Sequence, residues 1–527
     1  MFHANMLKKY WDREIEKSEN VKVSKGITEI TGAVILEPMD EVDDEVTPLE
    51  TMCSQQTETF EDVKISSSLS PDQHLQVKAL LQRYQDIFTD VPKICKLGHH
   101  EINLASADPI VGKGYPIPHA MRPAMEAELN LMIDMNIIEP STAAYSSPVV
   151  LVKKSDGSTR VCVDYRRLNR ITVFDPEPMP NVDGIFAKLA GDRFFSKFDL
   201  CKGFWQIPMR EEDKDLTTFV CHKGLFRFRV MPFGLVNAPA TFTRIMRRLV
   251  QEIESLDNYL DDVLVHNKVW EAHLNSLKAF FDRVRKANIA LKPSKCTVGE
   301  FDVSFLGFQI GEGTLKPKIE TVSRILDAPR PTTKKQVRAF VGLIGFYRNF
   351  IPNFAALASP LTDLTKKGTK TDIEWGEPQQ RAFTTLKACM VNPPVLKLPD
   401  LGRTFILQTD ASNIGIGAVM LQEGEDRIKH PVAFASRKLL PREKNYSTIE
   451  RECLAIIWAI GKFQQYLYGT EFILETDHQP LQYLGAAQYQ NGRLMRWALA
   501  LQPYRFVLRA IRGKDNVGAD FLSRHPC

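Results

Sequence analysis

Several acidic side chains stand where charge is unwelcome. Asp261 and Asp262 lie between Tyr259-Leu260 and Val263-Leu264-Val265, an apolar run of β type in which adjacent carboxylates are costly. Asp199 ends the aromatic segment Phe194-Phe195-Ser196-Lys197-Phe198. The same Asp-Asp dipeptide at Asp43-Asp44 falls in a polar stretch and signals nothing. Nearer the C-terminus, Asp410 follows Phe405-Ile-Leu-Gln-Thr409 and Asp477 follows Phe472-Ile-Leu-Glu-Thr476. Between them Ser447-Thr-Ile-Glu450 has capping-box spacing and opens a helix whose apolar stripe is Ile449, Cys453, Ile456, Ile460, Phe463 and Leu467. Glu452 falls on the flank of that stripe, whereas Glu450 and Arg451 are expected to point away.

Two like charges about 4 Å apart repel by roughly 4 kcal/mol at a surface-like dielectric. Whole domains are stable by only about 5 to 15 kcal/mol, so such groups need a shared cation. Hard oxygen ligands select Mg²⁺, with Mn²⁺ as the alternative. A pair of such ions suits attack by a hydroxyl or a water on phosphorus.

The elements that must position these acids are a succession of short strands and amphipathic helices. Helices are expected from Pro71 to Phe88, capped by Ser70, and from Pro123 to Ile138. Strands follow at Pro148 to Val152 and Arg160 to Asp164, joined through Ser155-Asp156-Gly157, then at Arg193 to Leu200, Phe226 to Val230, Asn258 to Val265 and Val303 to Ile310. Helices are expected at Thr241 to Ile253 and His273 to Asn288, and Thr333-Lys-Lys-Gln336 opens another. After Asn392-Pro393-Pro394 the order becomes three strands, the helix Ile449 to Leu467, the strand Phe472 to Thr476, and further helix. Gly415-Ile-Gly417 lacks a third glycine, so it reads as a closely packed strand and not a dinucleotide fingerprint. Interleaving of this kind predicts an α+β or mixed α/β fold in several domains.

A chain of 527 residues with 44% hydrophobic and 25% charged residues is neither disordered nor fibrous. No run is apolar enough for a membrane span, and no signal peptide is visible. The 9 cysteines include no Cys-x-x-Cys pair, which suits an intracellular, cytoplasmic setting, free or in a particle. Residues 37 to 62 hold ten acids and no Lys or Arg, so the rest carries +14 against an overall +4. This pattern predicts a basic body behind an acidic tether, compatible with a polyanionic partner.

Tyr259-Leu-Asp-Asp262 resembles the Tyr-x-Asp-Asp turn of reverse transcriptases, specifically the gypsy-type branch of LTR retrotransposons. The resemblance runs from about residue 70 to the C-terminus. It rests on Pro148-Val-Val-Leu-Val-Lys-Lys154, Arg160-Val-Cys-Val-Asp-Tyr-Arg-Arg-Leu-Asn169, Phe198-Asp-Leu200, Met231-Pro-Phe-Gly-Leu-Val-Asn-Ala-Pro-Ala-Thr-Phe242, Leu291-Lys-Pro-Ser-Lys-Cys296 and Phe305-Leu-Gly307. It implies that Asp199 and Asp261 bind catalytic metals and that Asp262 completes the triad. By the same resemblance Lys154 and Arg160 grip an incoming triphosphate, Phe204 is the steric gate against a ribose 2′-hydroxyl, Phe233 and Gly234 line the nucleotide pocket, and Phe305-Leu-Gly307 is a primer-grip hairpin. For Phe204 and Phe233 ordinary core packing is the alternative, and for Phe305-Leu-Gly307 a plain turn. Two departures are visible: Asp199-Leu-Cys-Lys-Gly203 where the branch often has Arg-Ser-Gly, and Val263-Leu-Val-His266 where Ile-Phe-Ser is usual, read as a packing change without charge consequence.

Asp410, Glu452, Asp477 and Asp520, the last in Gly518-Ala-Asp-Phe-Leu522, resemble the Asp-Glu-Asp-Asp set of ribonuclease H. His478 is a further ligand candidate, a cap or surface histidine being the plainer reading. Phe2-His-Ala-Asn-Met-Leu-Lys-Lys-Tyr10 resembles an integrase tail, or else is a basic helix. The resemblance thus implies a right-hand polymerase followed by a ribonuclease H-like α/β domain: an arm and acidic linker over 1–66, fingers and palm over 67–312, a thumb-like connection over 313–398 and the nuclease over 399–527. Two Mg²⁺ per site, an RNA template, a DNA primer, RNA–DNA hybrid and dNTPs are the implied cofactors and partners. A catalytically inactive remnant that only binds nucleic acid is the competing reading.

Overall fold

A computed structural model describes residues 57–106, 109–112, 114–115, 117–153, 159–351, 354–366, 373–391, 395–477 and 492–511. Lys154, the Ser155-Asp156-Gly157 turn, the Pro393-Pro394 boundary, His478, Asp520, the residue 2–10 segment and the acidic run before Thr57 lie outside these residues. Two compact units divide the described chain between Phe305 and Leu306.

The first unit is built on two five-stranded sheets. One orders its strands Lys64–Ile65, Thr297–Glu300, Phe194–Asp199, Asp262–Asn267 and Leu256–Tyr259. Phe194–Asp199 is almost wholly buried, which is why adjacent Phe194 and Phe195 put aromatic rings on both faces of the sheet. Helix Trp270–Ala287 covers it, returning Leu277, Phe280, Phe281, Val284 and Ala287 to the core at helical spacing. The helix stops at Asn288, which takes the left-handed conformation. Phe198 packs on Phe280 and Phe281 with ring centroids 5.2 and 5.4 Å apart. The second sheet orders Ile138–Pro140, Gly224–Phe228, Phe219–Cys221, Ser147–Lys153 and Thr159–Val163, with helix Arg122–Asp134 supplying Met125, Leu129 and Met132 to its core.

Several expected segments are interrupted, among them the helix from Pro71, which ends at Arg83 short of Phe88. The helix expected to reach Ile138 ends at Asp134, Asn136 turns with φ 55°, and Ile138 opens an edge strand, the position where Pro140 is tolerated. Asn258 to Val265 is a hairpin and not one strand, because Leu260 takes φ 54° between Tyr259 and Asp262. Val303 to Ile310 breaks likewise at Leu306 and Gly307, with φ 49° and 82°.

In the second unit, Phe308–Gly311, Thr314–Pro317 and Leu396–Lys397 form an antiparallel sheet accompanied by helices Ile319–Asp327, Lys334–Gly345 and Glu377–Val391. Thr333 and Gln336 make the expected capping box. A five-stranded sheet follows, ordered Lys429–Lys438, Gly415–Glu423, Phe405–Ala411, Glu471–Thr476 and Arg505–Ala510. The first three strands are antiparallel and the last two run parallel to Phe405–Ala411. Helix Thr448–Lys462 lays Cys453, Ile456, Ala459 and Ile460 on it and breaks at Phe463, short of the expected Leu467. Among the described residues no helix is long and apolar enough to cross a membrane.

Candidate active sites

The first acidic group forms because Phe194–Asp199 and Asp262–Asn267 pair antiparallel in a register that opposes Asp199 to Asp262. Asp261 sits in the two-residue turn beyond. Positive φ at Leu260 alone is the sign pattern of a II′ turn, a place normally given to glycine. A non-glycine residue there stores about 1 to 3 kcal/mol, and burial of the Leu260 side chain, 1% exposed, holds it. The Asp199 and Asp262 side chains are 19% and 25% exposed. Burial raises Asp199 to about 7; Lys295 opposes the rise, while Asp261 and Asp262 add to it. Asp261 is raised by burial and then by Asp262. Two lysines face the group, with Lys197 Nζ 3.0 Å from Asp262 Oδ1 and Lys295 Nζ 3.9 Å from Asp199 Oδ2.

Phe204 stands one turn past Asp199, nine-tenths buried, and stacks on Phe233 at 5.1 Å and 23°. Phe233 is itself 45% exposed, so this pair joins core to surface. Gly203 lies under the Phe242 ring, which a Cβ would meet at 2.9 Å. Gly234 takes φ 93°, and its carbonyl accepts from Asn169 Nδ2 at 2.8 Å while Asn169 Oδ1 accepts from the Val236 amide at 2.9 Å. Arg160 is placed on strand Thr159–Val163, opposite Val152.

Sequence reasoning missed the polar residues that fix these loops. Gln206, 1% exposed, donates to the carbonyls of Cys201 and Ala290 and accepts from the Ala290 amide, tying the loop after Asp199 to the strand-like segment before Lys292. A buried amide in an apolar helical turn, Gly203-Phe-Trp-Gln206, was the available signal. His266 corrects the expectation of a change without charge: its Nδ1 lies 2.5 Å from Asp192 and its Nε2 3.1 Å from Asp257, which also binds Lys188 at 2.6 Å. Burial opposes the imidazolium, yet its hydrogen bonds to the accepting carboxylates of Asp192 and Asp257 prevail and raise the pKa.

The second acidic group sits on parallel strands. Gln408 is opposite Glu475, so two positions further on Asp410 and Asp477 end side by side. Helix Thr448–Lys462 brings Glu452 over them, and among the described residues these three form the one acidic group whose ligand oxygens all lie within 4.8 Å. Glu452 is buried, its Oε2 has no hydrogen-bond partner, and its pKa rises to about 9 through burial, then Asp410 and Asp477. An orphaned carboxylate oxygen facing two more acids fits an oxygen-ligated divalent cation. Two details of the helix differ from expectation. Ile449 is 39% exposed, whereas Glu450 is buried because it folds back on Ser447 and pairs with Arg493 at 2.7 Å. Gly415 does lie in a strand of close approach, its Cβ position 3.0 Å from the Arg437 carbonyl.

Both sites fall inside recognisable domains. Residues 152–310 match the reverse transcriptase (RNA-dependent DNA polymerase) family, and residues 400–504 match the RNase H-like domain found in reverse transcriptase. The chain is 39% identical over 472 residues to the retrovirus-related Pol polyprotein from transposon 297 of Drosophila melanogaster, covering 86% of this chain and 43% of that one. It is 35% identical over 443 residues to the transposon opus polyprotein of the same fly, covering 81% and 44%. Against the Tf2-3 polyprotein of Schizosaccharomyces pombe the identity is 33% over 418 residues, covering 78% and 31%. The fold is similar to that of foamy viral protease-reverse transcriptase in complex with double-stranded DNA (TM-score 0.77, 22% identity, 86% and 80% covered) and with RNA/DNA hybrid (0.74, 21%, 89% and 63%). The chain belongs to the Pol polyproteins of gypsy-type retrotransposons, of which it carries the reverse transcriptase and RNase H-like domains. It spans less than half the length of these relatives.

Proposed function

We propose that the chain copies RNA, and then DNA, into DNA at the Asp199, Asp261 and Asp262 group, and cleaves the RNA strand of RNA–DNA hybrids at Asp410, Glu452, Asp477 and Asp520. The observation that carries this reading is the presence of two separate strand-end carboxylate groups, one within each matched domain. Divalent ions, two Mg²⁺ or Mn²⁺ per group, would lower the charge cost of attack by a primer hydroxyl at one site and a water at the other. The chain's own residues do the rest. Phe204, braced on Phe233 and Phe242, excludes a 2′-hydroxyl. Lys154 and Arg160 hold the triphosphate, as a point charge and a planar fork. Phe233 and Gly234, fixed by Asn169, shape the base and sugar pocket.

In this reading the polymerase spans 67–312, a thumb-like connection 313–398 and the nuclease 399–527, behind an arm over 1–66. Its partners are an RNA template, a DNA primer and dNTPs within the cell. Foamy viral protease-reverse transcriptase bound to double-stranded DNA and to hybrid offers the precedent for such ligands.

Asp261→Asn is expected to abolish primer extension and spare hybrid cleavage, and Asp477→Asn to do the reverse. Loss of both activities in either variant would refute two separate sites. Steeply salt-dependent nucleic-acid binding by the unaltered chain, without Mg²⁺-dependent synthesis or cleavage, would instead favour a remnant that only binds.

A further inference from the structure

The residues upstream of the reverse transcriptase match are wired into its carboxylate site. Thr57 pairs with Asp90 through both its amide, at 3.0 Å, and its hydroxyl. The neighbouring Thr89 amide donates to the Leu291 carbonyl at 3.0 Å, so this corner is fixed to the segment that enters the Pro293–Lys295 turn. Strand Lys64–Ile65 then pairs in parallel with Thr297–Val298, beyond the same turn. Between these two anchors Glu58 closes on the turn itself. Its Oε2 accepts from the Ser294 amide at 3.0 Å, its Oε1 accepts from the Ser294 hydroxyl at 3.0 Å, and Lys292 Nζ lies 3.5 Å from Oε1.

The other side of the turn faces the acids. The Lys292 amide donates to the Asp199 carbonyl at 2.9 Å, Thr297 is registered against Lys197, and Lys295 Nζ stands 3.9 Å from Asp199 Oδ2. The turn's own hydrogen bonds, from the Lys295 amide to the Lys292 carbonyl and from the Cys296 amide to the Pro293 carbonyl, are of the poorer 3₁₀ kind. An outside carboxylate that takes both donors of Ser294 adds to them, and charge-assisted bonds to a backbone amide are among the stronger ones available.

We propose that Glu58 is a positioning residue for DNA synthesis, holding the Pro293–Lys295 turn so that Lys295 stays beside Asp199. This rests on the polymerase reading given above. Displacements of about 1 Å at a reacting centre cost up to roughly 100-fold in rate, so Glu58→Ala is expected to lower kcat for primer extension about tenfold. The KM for primer–template should stay within about twofold, because Glu58 is an acid and offers no contact to a phosphate. Glu58→Gln keeps an acceptor oxygen for Ser294 and should restore most of kcat. Ser294→Ala removes one of the two donors; a loss of about threefold, with no further loss in the Glu58→Ala background, is expected if both act through one contact.

Hydrogen exchange of the peptide containing Ser294 supplies a readout independent of synthesis and should quicken in Glu58→Ala but not in Glu58→Gln. Hybrid cleavage by the same preparations should be unchanged. Unchanged exchange, or faster exchange with kcat intact in a chain that does extend primers, would overturn the positioning role. Equal losses of extension and cleavage would overturn it as well, by showing general destabilisation. Failure of the unaltered chain to extend any primer would sink the polymerase reading, and the positioning role with it.

Discussion

At Glu452 three effects act in one direction: the carboxyl is buried, it faces two other acids, and one oxygen has no donor. Neutralising it should therefore relieve the metal-free protein. With a chelator present, Glu452→Gln is expected to raise the nuclease melting temperature by several degrees, since 1 kcal/mol moves a domain of this size by about 4 °C. Mg²⁺ should raise the melting temperature of the unaltered chain and leave that of the variant nearly unmoved. Scanning calorimetry with and without Mg²⁺ checks this, and a wild-type transition blind to the ion would remove the cation from this group. At Phe204 the relevant property is bulk. Phe204→Val shortens a side chain stacked on a half-exposed Phe233, so ribonucleotide incorporation against deoxyribonucleotide should rise, by at least tenfold if the ring contributes about 1.4 kcal/mol of sugar discrimination. Single-nucleotide incorporation with both sugars measures it, and unchanged discrimination would return Phe204 to the core.

Among elements, the hairpin Leu256–Tyr259 and Asp262–Asn267 carries the heaviest demands. Its tip holds the acids and its base holds His266 between Asp192 and Asp257. A histidine whose folded pKa is raised contributes stability fully present below its unfolded value, near 6.5, and lost as pH rises through the folded value. Unaltered protein should thus exceed His266→Gln by about 2 kcal/mol at pH 6, with the advantage shrinking by pH 9. Urea unfolding at both pH values decides it; an advantage that does not change with pH would mean that no imidazolium is held there. Caps at Ser70, Thr333 and Ser447 were legible because side-chain and backbone chemistry coincide within four residues. The hairpin turn was marked by the resemblance of Tyr259-Leu-Asp-Asp262 but not by residue pattern, because Leu260 adopts a glycine-like φ that only its burial explains. Gln206 showed only as an amide among apolar residues in Gly203-Phe-Trp-Gln206, and its partner Ala290 was invisible, since tertiary packing brings it there.

For the whole molecule, each of the two compact units has a side-chain cluster of its own. Unfolding should proceed in at least two calorimetric transitions. Gln206→Ala, which strands the buried Ala290 amide and the Cys201 carbonyl while the Ala290 carbonyl keeps the Cys201 amide, should lower only one of them, by roughly 2 to 4 kcal/mol. Glu452→Gln should move only the other. A single transition displaced by both substitutions would show one cooperative block. At this scale much of the order of strands and helices was legible from periodicity, although Arg505–Ala510 is a strand where only further helix was expected, and six of the seven acids lie in the described residues at two meeting points. Long-range pairing was not legible: nothing in Lys64-Ile65 marks it as a strand, because two residues carry no periodicity.

That same short strand bears on how the chain is made. Lys64–Ile65 and Thr297–Val298 are adjacent in the sheet but lie far apart in order of synthesis. At about 5 to 20 residues per second, the roughly 230 residues between them take on the order of ten to fifty seconds to emerge from the ribosome. For that interval the first strand has no neighbour, and the sheet stays open along one edge. Completion of the sheet is thus a late event in biogenesis, when chaperone capture competes with closure, and codon choice ahead of residue 297 sets how long the competition lasts.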